Sequence, residues 1–208
     1  MTKSLVICGA GGHAKVVADV ARSAGWTVAG FVDDLHPERA GEAFFGSQIL
    51  DANQVFQGSM PAIALGIGDC AARLRRATEL LDLGCPAPVL VHPRAIVASS
   101  AQVGPGTQVI AGAVLNPDAR LGTAVIINTG ATVDHDCVIG DGVHLAPGVH
   151  LAGNVTVGER TLIGIGSVVK PGIRIGRDCV IGAGSVVVED LPDGAIAYGV
   201  PARIQRNR

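Results

Sequence analysis

Between Val97 and Val187 an aliphatic residue returns at every sixth position without a break, from Val97, Val103 and Val109 through Leu145 and Leu151 to Ile175, Ile181 and Val187. A helix repeats every ~3.6 residues and drifts off such a period, and plain strand alternation sets no corners. The pattern therefore predicts a short strand and a corner, repeated, so that the chain winds into a parallel β-coil of stacked units. Four residues after each anchor the side chain is small or β-branched, as at Thr107, Ala113, Ala131, Cys137 and Val143, which suits a narrow interior. Glycines such as Gly112, Gly130, Gly148 and Gly166 recur where corners must fall. Corners demand backbone angles that glycine adopts freely.

The pattern resembles that of the hexapeptide-repeat acyltransferases, in which three hexads make one triangular coil; that resemblance implies that the residue just before each anchor points outward and that every eighteenth residue shares a face. One face reads Gln102, Arg120, Val138, Thr156 and Arg174, largely polar. A second reads Ile126, His144, Leu162 and Val180, and the third Val114, Thr132, His150, Val168 and Val186. Two apolar faces and one wet face predict a subunit packed against two neighbours. His135 falls on the corner between the third face and the polar one, and His144 on the face opposite that corner, so the two do not meet within one chain.

Ahead of the coil the period changes. Leu5 to Ala10 reads as a buried strand ending in Gly9-Ala10-Gly11-Gly12-His13. Ala14 to Ala24 reads as a helix with Val16, Val17, Val20 and Ala21 on one face, and Thr27 to Val32 as a second strand running into Asp33-Asp34. Strand, glycine turn, helix and strand, with acids about 20 residues beyond the turn, is the order of a nucleotide-binding βαβ unit. Glycines admit a phosphate to the backbone, and the helix N-terminus favours its charge. The same turn can also serve only to pack helix on strand; His13, polar and titratable, adds nothing to such packing and favours binding. Further strands are expected at Ala62 to Gly66 and Val89 to Val91, with a helix near Ala71 to Leu83 between them, while Leu35 to Ser59 reads as loop with a short element. Three or four strands make half of a dinucleotide fold, which favours one nucleotide over NAD. The fold class is thus an α/β Rossmann-like half domain over residues 1–92 followed by a parallel β-helix over residues 93–208, joined by the stiff Val91-His92-Pro93-Arg94.

A 3% aromatic content with 29 glycines in 208 residues suits a coil whose interior accepts only aliphatic and small groups. The formal net charge of −2 gives no reason to expect nucleic acid or membrane binding. The apolar start, Leu5 to Cys8, is too short for a signal peptide or a membrane span. Cys8, Cys70, Cys85, Cys137 and Cys179 show neither even pairing nor metal spacing, so they are read as reduced and cytoplasmic, and no metal is expected. Cys137 and Cys179 lie in the inward column as small buried hydrophobes.

One stretch departs from the bland corners: Asn128-Thr129-Gly130-Ala131-Thr132-Val133-Asp134-His135-Asp136. His135, two residues past the anchor Val133, is expected on the outside with an acid on each side. A carboxylate bonded to one imidazole nitrogen sets the tautomer and raises the basicity of the other, as a general base requires. Spacing alone leaves open a solvated corner histidine between solvated aspartates.

Taken together, the glycine turn with His13, the Asp33-Asp34 pair, the six-residue repeats, Asp134-His135-Asp136 and the closing Gly199-Val200-Pro201-Ala202 resemble the bacterial nucleotide-sugar acetyltransferases of the PglD/NeuD group, over nearly the whole chain. That resemblance implies a left-handed β-helix of three hexads per triangular coil and a homotrimer with sites between subunits. It further implies an N-terminal domain that holds the UDP part of a 4-amino-sugar nucleotide, with acetyl-CoA as co-substrate on the β-helix. By the same resemblance His135 is the catalytic base, oriented by Asp136 or else Asp134. Gly11, His13, Asp33 and Asp34 become nucleotide contacts, with Asn128 and His144 in support. Both flanking acids are Asp, where Glu is expected in relatives of the UDP-bacillosamine branch. The amine is expected to attack the thioester directly, with backbone N–H groups around Gly153 holding the developing oxyanion. Arg203, Arg206 and Arg208 either meet CoA phosphates or form a solvated basic tail. Acetylation of a sugar hydroxyl, as on sialic acid, and a non-catalytic trimeric scaffold or nucleotide sensor stand as alternatives to N-acetylation.

Overall fold

The computed structural model describes residues 3–57 and 60–207. Strand β1 (Ser4–Cys8), helix α1 (Gly12–Ser23) and strand β2 (Thr27–Val32) form the expected opening unit. A small hairpin, β3 (Ala43–Phe44) and β4 (Ser47–Gln48), and a single helical turn α2 (Ala52–Val55) occupy the stretch read as loop. Strand β5 (Ala62–Leu65) and helix α3 (Cys70–Asp82) complete the domain. The sheet is parallel in the order β2-β1-β5, with β1 central. Helix α1 buries Ala14, Val17, Ala18, Val20 and Ala21. Val16, expected on that face, is exposed, because it lies across the helix from Ala14, Ala18 and Ala21. Asp69 caps α3, its carboxylate accepting the Ala72 N–H at 2.8 Å.

The anticipated fourth strand, β6 (Leu90–Val91), does not join this sheet; it pairs with Gln108–Val109 as the first strand of the coil. Val91 lies six residues before Val97 and so continues the aliphatic series, and its backbone completes the open parallel edge there. The N-terminal sheet therefore has three strands, and the coil begins before residue 93, where the boundary was expected.

Beyond β6 the chain is a left-handed β-helix of about six turns. Two-residue strands stack in three parallel sheets at a constant spacing of eighteen residues, as in Val114↔Thr132, Arg120↔Val138 and Ile126↔His144. The anchors and the small inward column share one continuous buried cluster, from Val109 to Ala202. Inward polar groups are satisfied: Thr107 Oγ1 donates to the Gly122 carbonyl at 2.8 Å and accepts from the Val125 N–H at 3.0 Å. Corners turn through left-handed backbone at residues such as Gly130 (φ 67°), Asp136 (φ 61°) and Asn154 (φ 61°). At the far end Ala195–Gly199 extends one sheet and folds back on Ala202–Asn207 through a turn holding the cis Val200–Pro201 peptide.

The three faces fall as the eighteen-residue spacing predicts, but one is not what its composition suggested. The second face was read as a surface for a neighbouring subunit; instead the chain's own N-terminal domain covers its first coils. Ile110 and Ile126 join the core cluster formed by β1, α1 and β5, and Gln108 is buried. The apolarity of these first coils is thus satisfied within one chain, while Leu162 and Val180 farther along the face stay partly exposed. The third face stays outward, with Ile96 65% and Val168 37% exposed.

Arg73, on α3, locks the two domains and is wholly buried. Its Nε donates to the Ala124 carbonyl (2.8 Å), one terminal nitrogen to Gly68 (2.8 Å) and Ile67 (3.2 Å), and the other to Gly142 (2.7 Å). One guanidinium thus ties the loop before α3 to two successive corners of the coil. Arg73→Met keeps the apolar stem and leaves those carbonyls without a donor, each at about 1–3 kcal/mol. We expect a loss of about 3 kcal/mol or more in chemical denaturation; a loss under about 1 kcal/mol would show that the domains dock without this contact.

Candidate active site

Two polar regions stand apart on the folded chain. The first is the cleft at the carboxyl ends of the N-terminal strands. Gly9 has φ 111°, and a Cβ there would lie 2.9 Å from the Gly66 carbonyl group, so the two glycine turns touch. At Gly11 and Gly12 nothing lies within 4 Å of a Cβ position, and no side chain caps α1, which leaves its first N–H groups facing open space. Beside them is a cavity of about 530 Å³ lined by Gly11, Asp33, Asp34, Arg39, Arg75 and Arg76, among others. Both acids are engaged: Arg39 meets Asp33 at 2.7 Å, and Arg76 approaches Asp34 at 2.9 Å. The cleft therefore presents paired charges with arginines at its rim. These arginines were not singled out in the sequence, since lone arginines on a helix and a loop carry no spacing signal.

His13, grouped with these residues by sequence, turns away from the cavity. Its Nε2 meets Gln108 Oε1 at 2.9 Å, and Gln108 Nε2 donates to the Leu65 carbonyl at 2.6 Å, so His13 is the Nε2–H tautomer. Its ring stands 6.1 Å from that of His144. His144 Nε2 in turn accepts from Asn128 Nδ2 at 3.1 Å, and the amide orientation is set independently, because Asn128 Oδ1 accepts the Thr129 N–H at 2.8 Å. Burial pushes both histidines down to about 4; the charge of Arg73 adds to the effect on each, against the hydrogen bond to Gln108 that opposes it at His13. At neutral pH the junction of the two domains is thus lined by two uncharged imidazoles of defined tautomer.

The second region is the corner carrying His135. Its Nδ1 lies 2.8 Å from Asp136 Oδ2, which decides between the two acids. Asp134 does not reach the imidazole; its Oδ1 accepts the His135 N–H at 2.8 Å and Asn116 Nδ2 at 2.9 Å. The ring rests on the next coil: a Cβ on Gly153 would lie 2.5 Å from His135 Nε2. Only glycine leaves room for the imidazole in that place. Hydrogen bonding to Asp136, reinforced by the charges of Asp134 and Asp136, raises the affinity of His135 for a proton above the ordinary histidine value. Its side chain is about half exposed, and among the described residues no hydrogen bond engages Nε2.

His135 and the His144–Asn128 pair are not brought together within one chain: His144 belongs to the strand face that meets the N-terminal domain, and His135 to the corner beyond the third face. All five cysteines are free and buried, and burial raises each thiol, Cys8 to about 12. Among the described residues no group of three or more His, Cys, Asp or Glu side chains could hold a metal ion, and no helix is long and apolar enough to cross a membrane. Of the basic tail, Arg203 lies 3.5 Å from Glu189, Arg206 is exposed, and Arg208 lies outside the described residues.

Residues 4–80 match the family described as the PglD N-terminal domain, and residues 136–164 and 154–188 match the bacterial transferase hexapeptide family. The fold is similar to PerB from Caulobacter crescentus, solved in complex with CoA and GDP-perosamine: 43% identity, 98% of this chain and 97% of that one covered, TM-score 0.91. It is also similar to the acetyltransferase domain of PglB from Neisseria gonorrhoeae, at 37% identity, covering 97% of this chain and 99% of that one with a TM-score of 0.90. The same domain in complex with acetyl coenzyme A matches at 36% identity and TM-score 0.92, over 98% of this chain and all of that one. No curated protein sequence matches the chain. With near-complete coverage at these identities, joined to a glycine-turn cleft and a carboxylate-bound corner histidine, the chain belongs to the PglD/NeuD group of hexapeptide-repeat nucleotide-sugar acetyltransferases.

Proposed function

We propose that the protein transfers the acetyl group of acetyl-CoA to the amine of a nucleotide-linked 4-amino-sugar, with His135 as general base. The observation that carries this reading is the His135–Asp136 contact at 2.8 Å on an open corner, in a chain similar over nearly its full length to proteins solved with CoA, acetyl-CoA and GDP-perosamine. Acetyl-CoA, when bound, supplies an already activated thioester, so no covalent enzyme intermediate is required, and the buried cysteines offer none. His135 Nε2 takes a proton from the sugar nitrogen as its bond to the carbonyl carbon forms, and returns it to the departing sulfur as the C–S bond breaks. Asp136 holds the imidazole in the required tautomer and stabilises the imidazolium. A role for the Gly153 N–H toward the developing oxyanion is supported by its place under His135 and by its having no acceptor among the described residues.

The N-terminal cleft receives the nucleotide, with the diphosphate toward Gly11 and the start of α1, and with Asp33, Asp34 and the rim arginines around the remainder. The neutral His13, His144 and Asn128 line the path of the sugar. Because His135 and His144 lie on different sides of one coil, a complete site takes His135 from one subunit and His144 with Asn128 from the next. The outward third face, carrying Ile96, Val114, Val168 and Val186, supports such packing in a homotrimer. Five unpaired cysteines fit a reducing cytoplasm.

The test is thiol release from acetyl-CoA with GDP-, UDP- and dTDP-linked 4-amino-sugars, alongside free and CMP-linked sialic acid. Turnover of one amine, reduced about 10²–10⁴-fold in His135→Ala with KM little changed, is the expected outcome. A loss below threefold removes His135 from the chemistry, and activity confined to a hydroxyl acceptor overturns the N-acetyl assignment.

The pH profile gives a second check. The base works in its neutral form, so the rate rises as pH climbs through the raised His135 value. Asp136→Asn removes the main cause of that rise, and the acid limb of kcat/KM should move to lower pH while the plateau falls. An unmoved limb would mean that another group is titrating.

Subunit sharing predicts complementation. Trimers assembled from His135→Ala and His144→Ala chains should regain activity above either parent, because some sites in the mixture carry neither change. No recovery in trimers shown to be mixed would place the whole site in one chain.

A further inference from the structure

Asn116, Asp134 and Ala152 occupy the same corner position in three successive coils, eighteen residues apart. Across the wider column, Ala98, Asn116, Asp134, Ala152 and Lys170, hydrogen-bonding side chains meet only below His135. Elsewhere in the coil a corner N–H is taken by a carboxylate from the following turn, as Asp141 takes that of Thr123 and Asp193 that of Arg177. At the histidine corner the carboxylate comes from the same turn. Asp134 Oδ1 accepts the His135 N–H at 2.8 Å, and Asn116 Nδ2, from the coil below, donates to that same oxygen at 2.9 Å.

We propose that Asn116 is a positioning residue for the transfer, holding Asp134 against the His135 backbone so that the imidazole stays over Gly153 with Nδ1 on Asp136. The inference rests on His135 being the base. The physical reason lies in what the corner lacks. His135 projects from a half-exposed corner with no packed walls, and its floor is a glycine with no side chain to grip it. Its direction is therefore set by the backbone at residues 134–136. That backbone is held from below by Asp136 N–H to the Pro117 carbonyl (3.2 Å) and from above by Asp134 N–H to the Leu151 carbonyl (3.1 Å) and Asn154 N–H to the His135 carbonyl (2.9 Å). The Asp134 carboxylate adds the one side-chain hold, on the His135 N–H itself, only while it stays turned inward, and the nearby charge of Asp136 favours turning it out. A donor from the coil below opposes that repulsion. An amide does so without a charge of its own, whereas a lysine or arginine at position 116 would cancel the negative field that favours protonated His135.

The experiment is a double-mutant cycle on the full-length protein, reading kcat, both KM values and the thermal midpoint for Asn116→Ala, Asp134→Ala and the pair, with His135→Ala alongside. Asn116→Ala should lower kcat about tenfold, the scale of one lost hydrogen bond to a charged group, with both KM values within twofold and the midpoint nearly unchanged. Asn116→Asp, equal in size but without the donor, should lose at least as much. Because Asn116 acts through Asp134, the double variant should be no slower than Asp134→Ala alone. A kcat within twofold of the parent, additive losses in the cycle, or a loss confined to KM or to the midpoint would overturn the proposal. If His135→Ala is inactive while Asn116→Ala is unaffected, only this inference fails; if His135→Ala keeps its rate, the reading of the base itself fails.

Discussion

The buried guanidinium of Arg73 is the interaction on which the arrangement of the molecule depends. A charge taken out of water is costly unless its hydrogen bonds are remade. Here the remaking is done by backbone carbonyls from the loop before α3 and from two coil corners. Those acceptors come together only when the N-terminal domain sits at one height and one rotation on the β-helix, so the contact specifies register between domains as well as holding them. The apolar part of the junction, Ile110 and Ile126 against the core of β1 and α1, is less discriminating, because aliphatic surfaces tolerate sliding that directed hydrogen bonds do not.

Electrostatic consequences follow from the same residue. No carboxylate is ion-paired with Arg73 among the described residues, and burial lowers its own affinity for a proton, though a guanidinium stays charged. Its field adds to desolvation in keeping His144 and His13 neutral. His135, on an open corner between two acids, is pushed the opposite way. One chain thus carries histidines in opposed electrostatic settings: two that present fixed, uncharged hydrogen-bonding edges and one that takes up a proton readily. Such separation suits binding of a polar sugar at one place and proton transfer at another.

The β-helix supplies the precision. Its eighteen-residue coil stacks chemically related positions directly above one another, so Asn116, Asp134 and the ring of His135 over Gly153 are set by vertical neighbours rather than by loops. The two aspartates beside His135 look equivalent in sequence and are not equivalent in space. Asp136, in left-handed backbone at φ 61°, swings its carboxylate onto the imidazole, while Asp134, still in the strand exit, faces the main chain.

Much of this was legible in the sequence. A six-residue aliphatic period calls for a short strand and a corner, repeated, so the coil and its inward columns followed from spacing, its three faces from the resemblance to hexapeptide-repeat acyltransferases, and the βαβ opening from the order of apolar runs and glycines. His135 stood out as a candidate because a histidine between two acids breaks an otherwise bland corner, and the role proposed for it came from the family resemblance. What the tertiary structure alone decided concerns partners distant in sequence. Composition could not tell that the apolar second face meets the chain's own N-terminal domain, since burial against self and against a neighbour leaves the same residues. Nor could it tell that β6 leaves the three-stranded sheet for the coil, because a two-residue strand goes to whichever open edge docking presents. Arg73, Gln108 and Asn116 had no signal at all: each is an ordinary polar residue until folding brings its acceptors within reach, and hydrogen bonds over such separations are written in no local pattern.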